Sequence, residues 1–74
     1  MNSDIKKSDL INRAQMVTIA REYNLFVSQS TIHLWANSSG FPRAVGKDGR
    51  FLLYPKQEYI KFLIRRLREI EELH

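Results

Sequence analysis

Two helix-start signals, Asn12 and Ser28, stand so close together that the chain between them has room for one helix and a sharp turn. Asn12 is a strong N-cap residue, and Gln15 has capping-box spacing, in which each side chain satisfies the other's free backbone N–H. The pattern predicts a helix over about 13–23, with Val17, Ala20 and Tyr23 on its inner face and Arg21 and Glu22 turned away. Asn24 is suited to end it in the left-handed conformation, and Leu25, Phe26 and Val27 make a tight apolar connection. Ser28 caps a second helix over about 29–37, its hydroxyl accepting the N–H of Ser30 or Thr31. Ile32, Trp35 and Ala36, at i, i+3 and i+4, form its inner face. Gln29, Ser30, His33 and Asn37 fall on the opposite side, and Ser38-Ser39-Gly40 stops the helix.

Phe41-Pro42 opens an extended segment, with a strand expected over 43–46. Lys47-Asp48-Gly49-Arg50 reads as a turn around Asp-Gly, the strongest short hairpin signal, and 51–53 is the return strand. Pro55 fits the first position of a long helix over about 55–73. Its apolar residues Ile60, Leu63, Leu67 and Ile70 follow 3-4-3 spacing, with Phe62 and Ile64 beside them; Tyr54, Tyr59 and Phe62 read as packing residues. Glu69, Glu71 and Glu72 oppose the dipole at its end, so the last turn is expected to fray. Residues 1–11 read as a flexible polar arm, with a short turn of helix from near Ser8. The expected class is mainly α with a small β-hairpin. It is a winged helix-turn-helix of order α-α-β-β-α, occupying 12–74 and ending in a long C-terminal helix.

A chain of 74 residues without cysteine has neither disulfides nor cysteine-based zinc to support it. A core this small supplies roughly 3–5 kcal/mol, so good packing or self-association must hold the fold. His74 is the one histidine besides His33, so a metal role for His33 is disfavoured, and neither a metal nor another cofactor is expected. No paired carboxylates, no nucleophile beside a base and no phosphate-cradling glycine loop point to an enzyme. No apolar run approaches the ~20 residues of a membrane span. The polar N-terminus has no apolar stretch behind Lys6 and Lys7 to act as a signal peptide. These readings favour a cytoplasmic, nucleoid-associated protein.

The net charge is +4 and the pI about 9.8, which suits a polyanion. The excess begins after Phe41: Arg43, Lys47, Arg50, Lys56, Lys61, Arg65, Arg66 and Arg68 face only Asp48 and Glu58 before the terminal glutamates. A B-DNA major groove admits one helix, whose N-terminal half reads base edges. Gln29, Ser30 and His33 stand on that half of the second helix. Glutamine can pair bidentately with adenine, and serine can donate or accept. Ser28 reads first as a structural cap; Thr31 and Asn37 complete the candidate set. Arg43, Lys47 and Arg50 are placed to contact phosphates, which position a protein without specifying sequence. The plain alternative is that turn and surface charges are merely solvated.

The stretch Val27-Ser28-Gln29-Ser30-Thr31-Ile32-His33-Leu34-Trp35, followed by Gly40-Phe41-Pro42-Arg43 and Val45, resembles the AlpA-type phage regulators, relatives of the small excisionases and Cox proteins. The resemblance spans about 14–63. It implies a winged helix similar to the MerR kind, in a cytoplasmic DNA binder of a prophage or mobile element. It implies a transcription regulator, or a directionality factor that bends DNA for an integrase. It also implies groove contacts at Gln29, Ser30 and His33 and a phosphate contact at Arg43. The chain departs from the pattern where family members often carry a basic residue, at Gln29 and Leu34. Phe26 stands where a glycine is usual, which implies a different turn or an apolar plug under the helix.

The last helix carries more apolar surface than so small a core can cover. Leu63, Ile64, Leu67 and Ile70 are therefore expected to mediate self-association or to bind a partner protein. That stripe supports the alternative of a protein-interaction module or inhibitor acting on a regulator or integrase. Arg65, Arg66 and Arg68 fit DNA contact, solvation or pairing with glutamates across a helix–helix contact. The DNA reading requires Gln29 and His33 to face outward with Trp35 behind them, and a hairpin around Gly49.

Overall fold

A computed structural model describes residues 9–72. The first eight residues of the expected arm and the helix end expected at Leu73 lie outside the described residues; of the helical turn expected from near Ser8, Asp9 is the one described residue that is helical, in a 3-10 conformation, and Leu10–Ile11 is a strand instead. Three helices and a three-stranded antiparallel sheet follow in the order β1 (Leu10–Ile11), α1 (Arg13–Glu22), α2 (Gln29–Trp35), β2 (Gly46–Asp48), β3 (Phe51–Pro55) and α3 (Lys56–Glu72).

Both caps form as their side chains dictate. Gln15 N–H donates to Asn12 Oδ1 at 2.9 Å, and Asn12 N–H donates to Gln15 Oε1 at 2.8 Å, closing the capping box. At the other end of α1, Asn24 takes φ 65°. Its N–H donates to Arg21 O at 2.9 Å and that of Leu25 to Ala20 O at 2.8 Å, the paired bonds of a Schellman stop with asparagine in the glycine place. Ser28 Oγ accepts from Thr31 N–H at 3.3 Å to start α2. That helix ends at Trp35, two residues earlier than the expected Asn37, because Asn37, Ser38 and Ser39 favour turns and Ser38 N–H bonds Trp35 O at 2.8 Å.

The sheet differs from the expectation in four places. Leu10 and Ile11, expected in the loose arm, pair with Pro55 and Tyr54 of β3, which becomes the central strand. Ile11 is buried in the core, and that burial holds the short strand in place. The first hairpin strand is Gly46–Asp48 rather than 43–46, with Val45 N–H donating to Leu53 O at 2.8 Å just before it. Asp48 pairs with Phe51, so the turn centres on Gly49-Arg50, one residue later than expected. Positive φ at Gly49 (62°) and not at Arg50 is the type II′ pattern, whose twist matches that of paired strands. Pro55 closes β3 rather than opening the helix, which starts at Lys56.

The core comprises Ile11, Met16, Ile19, Ala20, Ile32, Trp35, Tyr54, Tyr59, Phe62 and Leu63. In α1 the buried face is Met16, Ile19 and Ala20; Val17 and Tyr23 only border it. Tyr59 of α3 reaches this face and bonds the Met16 carbonyl, so the buried side of α1 is set by α3 as well as by α2. Ala36 is exposed, since α2 has already ended. Phe41 is the hub of an aromatic cluster, edge-on to Tyr54, Tyr59 and Phe62 at centroid distances of 5.9, 6.3 and 5.2 Å. Phe26 is 76% exposed and plugs nothing; Leu25 and Val27 on either side pack on the core instead. Leu63 is wholly buried and is unavailable to a partner, a correction to the proposed association stripe. Leu67 is half-buried, and Ile64 and Ile70 are exposed.

Candidate nucleic-acid interface

Ile32 and Trp35 fix how α2 sits. Both are buried, and Trp35 packs on Phe62 with ring centroids 5.7 Å apart while the Arg66 guanidinium lies 5.5 Å from its ring centre. At 100° per residue, Ser30, His33 and Leu34 lie opposite these anchors, Gln29 stands at the edge of that side, and Asn37 follows just beyond the helix end. All five are exposed, and none makes a side-chain hydrogen bond among the described residues. Their donors and acceptors are free for an external ligand.

Ser28 and Thr31 belong to a different environment. Their hydroxyls lie 3.4 Å apart and the Ser28 oxygen is occupied by the Thr31 N–H, so both serve the cap; Thr31 is half-buried. Leu34 escaped the sequence reading as a contact. It stands 67% exposed in the middle of the polar face, where an apolar side chain can meet a thymine methyl group.

The hairpin stands beside the start of α2. Gln29, Arg50, Phe51 and Leu52 border one cleft of about 220 Å³, and its remaining wall is Arg13, the first residue of α1. Arg43 is exposed and borders a separate open groove behind the end of α2, formed by residues including Ser38, Gly40 and Tyr54. Lys47 is exposed on β2 and lines neither. The sequence-named residues therefore fall into an α2 face, a hairpin-side cleft holding Gln29 and Arg50, and Arg43 apart. Arg13, Arg43, Lys47 and Arg50 form no ion pair among the described residues, so no described carboxylate neutralises them.

Arg13 was missed because its partner residues come from positions 29 and 50–52, far along the chain. One local signal was present: a cation at the first position of a helix whose first turn holds no acid opposes the helix dipole.

Among the described residues no group of three or more His, Cys, Asp or Glu side chains converges on a metal site. No helix among them is long and apolar enough to cross a membrane. No family model matches the chain, and comparison with curated proteins and with solved structures returns no match.

Proposed function

We propose that this protein is a sequence-specific double-stranded DNA-binding protein with a winged helix-turn-helix. α1, the six-residue link 23–28 and α2 form the helix-turn-helix, and the β2–β3 hairpin is the wing. The observation that carries the reading is the outward polar side of α2, Ser30 and His33 with Gln29 at its edge and exposed Asn37 just past its end, anchored from behind by Ile32 and Trp35 and flanked by Arg50. In this reading α2 lies in the major groove, where Gln29, Ser30 and His33 meet base edges and Leu34 a thymine methyl. Arg43, Lys47 and Arg50 contact phosphates and set the register. Ser28 and Thr31 support the helix start. Binding is the whole of the activity; no catalytic step is assigned.

The resemblance to AlpA-type regulators and small excisionases supports a role in transcription control or in directing an integrase on a mobile element. Selection of bound sites from random duplexes, read by sequencing, tests the proposal. An enriched motif of a few base pairs, bound with steep salt dependence, supports it; no enrichment at low salt rejects it. Direct repeats in the selected sites favour an excision-type array, and one inverted repeat favours a symmetric regulator.

A second reading rests on α3. Ile64 and Ile70 are both 41% exposed beyond the part of the helix that Tyr59, Phe62 and Leu63 hold to the core. Such residues suit a protein contact, either a second copy of the chain or an integrase or regulator. A pull-down that survives high salt, without any DNA shift at low salt, favours this reading over the first.

A further inference from the structure

We infer that Arg13 and Arg50 together clamp a single backbone phosphate of the duplex, in the cleft between the start of α1 and the wing. The inference rests on the DNA-binding reading and extends it to a residue and a ligand group that the α2 face does not include.

The two arginines are 37 positions apart in sequence and reach the cleft from different elements, one from the first position of α1 and one from the II′ turn. Two guanidinium groups bordering one cleft of about 220 Å³ repel each other, and neither meets a carboxylate among the described residues. An anion between them removes that repulsion. Arg13 is also unfavourable to its own helix. It sits at the positive end of α1, and no acid in the first turn offsets it. A side chain that weakens its own helix and shares a cleft with a second cation is placed for an external negative charge. The guanidinium forks match the oxygens of a phosphate, with which arginine makes paired charge-assisted hydrogen bonds.

The surroundings select a phosphodiester of DNA over a small free anion. Gln29, the first residue of the α2 face, borders the same cleft, so the phosphate held there lies directly beside the groove that α2 enters. Phe51, 61% exposed, and Leu52, 45% exposed, form a further wall. An apolar wall lowers the local dielectric and strengthens the field of the two cations. The clamp would fix the distance between wing and α2 on the duplex.

The test uses the full chain and its selected duplex, with single methylphosphonate linkages that remove one backbone charge at a time. One linkage is expected to weaken wild-type binding about tenfold, to weaken Arg13→Ala and Arg50→Ala less, and to leave the double variant unaffected, because both arginines act on the same phosphate. Losing the clamp in the double variant lowers the slope of log K against log salt by about 0.9, the value for one phosphate, rather than about twice that. Arg13→Ala melts no lower than wild type, since the substitution removes a charge opposed to the helix dipole; reduced DNA affinity with undiminished stability is a signature that a purely structural role does not give. Two different linkages for the two arginines, or wild-type affinity and salt slope in Arg13→Ala, overturn the clamp while the DNA-binding reading stands. Wild-type protein that shifts no duplex at low salt overturns both. Inorganic phosphate that perturbs the Arg13 and Arg50 Nε–H resonances, with no linkage showing an effect, identifies a small-anion site and overturns the duplex assignment.

Discussion

The Tyr59 hydroxyl donates a buried 2.8 Å hydrogen bond to the Met16 carbonyl, tying α3 to the middle of α1 across 43 residues of sequence. Burial pushes this hydroxyl far above its ordinary range, because a phenolate there would lose its water. Tyr59→Phe is expected to destabilise the fold by about 1 kcal/mol at neutral pH, as Met16 loses a partner and the ring still fills its place. The folded state holds the Tyr59 proton more tightly than the unfolded chain. Its contribution is therefore whole below about pH 10, the ordinary tyrosine value, and is lost as pH rises beyond it. Urea midpoints measured from neutral to strongly alkaline pH should fall less steeply in Tyr59→Phe than in wild type.

Trp35 is the anchor of α2, gripped by Phe62 and covered by Arg66. Truncating a buried tryptophan to alanine costs about 3–5 kcal/mol, which equals the roughly 3–5 kcal/mol that a core of this size supplies. Trp35→Ala should therefore be largely unfolded at room temperature by far-UV circular dichroism. Trp35→Phe keeps an aromatic ring against Phe62 and should retain the helical signal with a lower melting temperature.

Gly40 combines two constraints. Its φ is +91°, and a Cβ added there would stand 3.0 Å from Arg65 Nη1, which reaches back from α3 to the loop after α2. Gly40→Ala should destabilise by about 1–3 kcal/mol, mostly through backbone strain. The crowding is the lesser part, because the end of an arginine side chain can move. Adding Arg65→Ala relieves the contact and leaves φ unchanged, so thermal denaturation of the double variant should recover little of the loss. Gly49→Ala, at φ +62° with nothing within 4 Å of the added carbon, isolates the backbone effect alone.

Signals carried by a side chain and its own nearby backbone were legible in the sequence: the Asn12–Gln15 box, the left-handed Asn24 and the Ser28 cap all form. Features that depend on distant partners were not. Leu10–Ile11 is too short to show a strand period and exists because β3 offers an edge and the core a place for Ile11. Phe41 read as an entry to a strand and is the hub of the aromatic cluster, a role set by Tyr54, Tyr59 and Phe62. Leu63 fits an apolar stripe by spacing, yet spacing cannot say where the body of the domain stops covering a helix. The same limit hid Arg13. The exposure of Gln29 and His33 was readable because Ile32 and Trp35, on the same short helix, decide it.

Gln29 and Arg43 should separate readout from positioning. Gln29 lies on the α2 face, and Arg43 borders the groove behind the end of α2. Gln29→Ala should change the ranking of selected sites, costing about 1–3 kcal/mol on duplexes with the preferred base and less on others. Arg43→Ala should weaken all duplexes alike and lower the salt slope by about 1. Binding isotherms on a panel of variant sites, repeated at several salt concentrations, distinguish the two patterns. Uniform loss in Gln29→Ala would remove it from base readout.

The far half of α3 makes the last prediction. Tyr59, Phe62 and Leu63 are the residues of this helix that the core buries, whereas Ile64 and Ile70 remain open to solvent with Leu67 half-covered between them. Burying apolar area between two copies gains about 25 cal/mol per Å² removed from water, before the larger cost of bringing two chains together. Association through so narrow a stripe is therefore expected to be weak in free solution and to strengthen on adjacent DNA half-sites, where effective concentration is high. Ile64→Glu with Ile70→Glu should leave a single domain folded, because both positions are exposed, and should abolish cooperative occupancy of a two-site duplex while one-site affinity stays within about twofold, the range of ordinary surface substitutions. Sedimentation at rising protein concentration, with gel shifts on one-site and two-site duplexes, measures both effects. Cooperativity unchanged in the double variant would show that the stripe does not join copies on DNA.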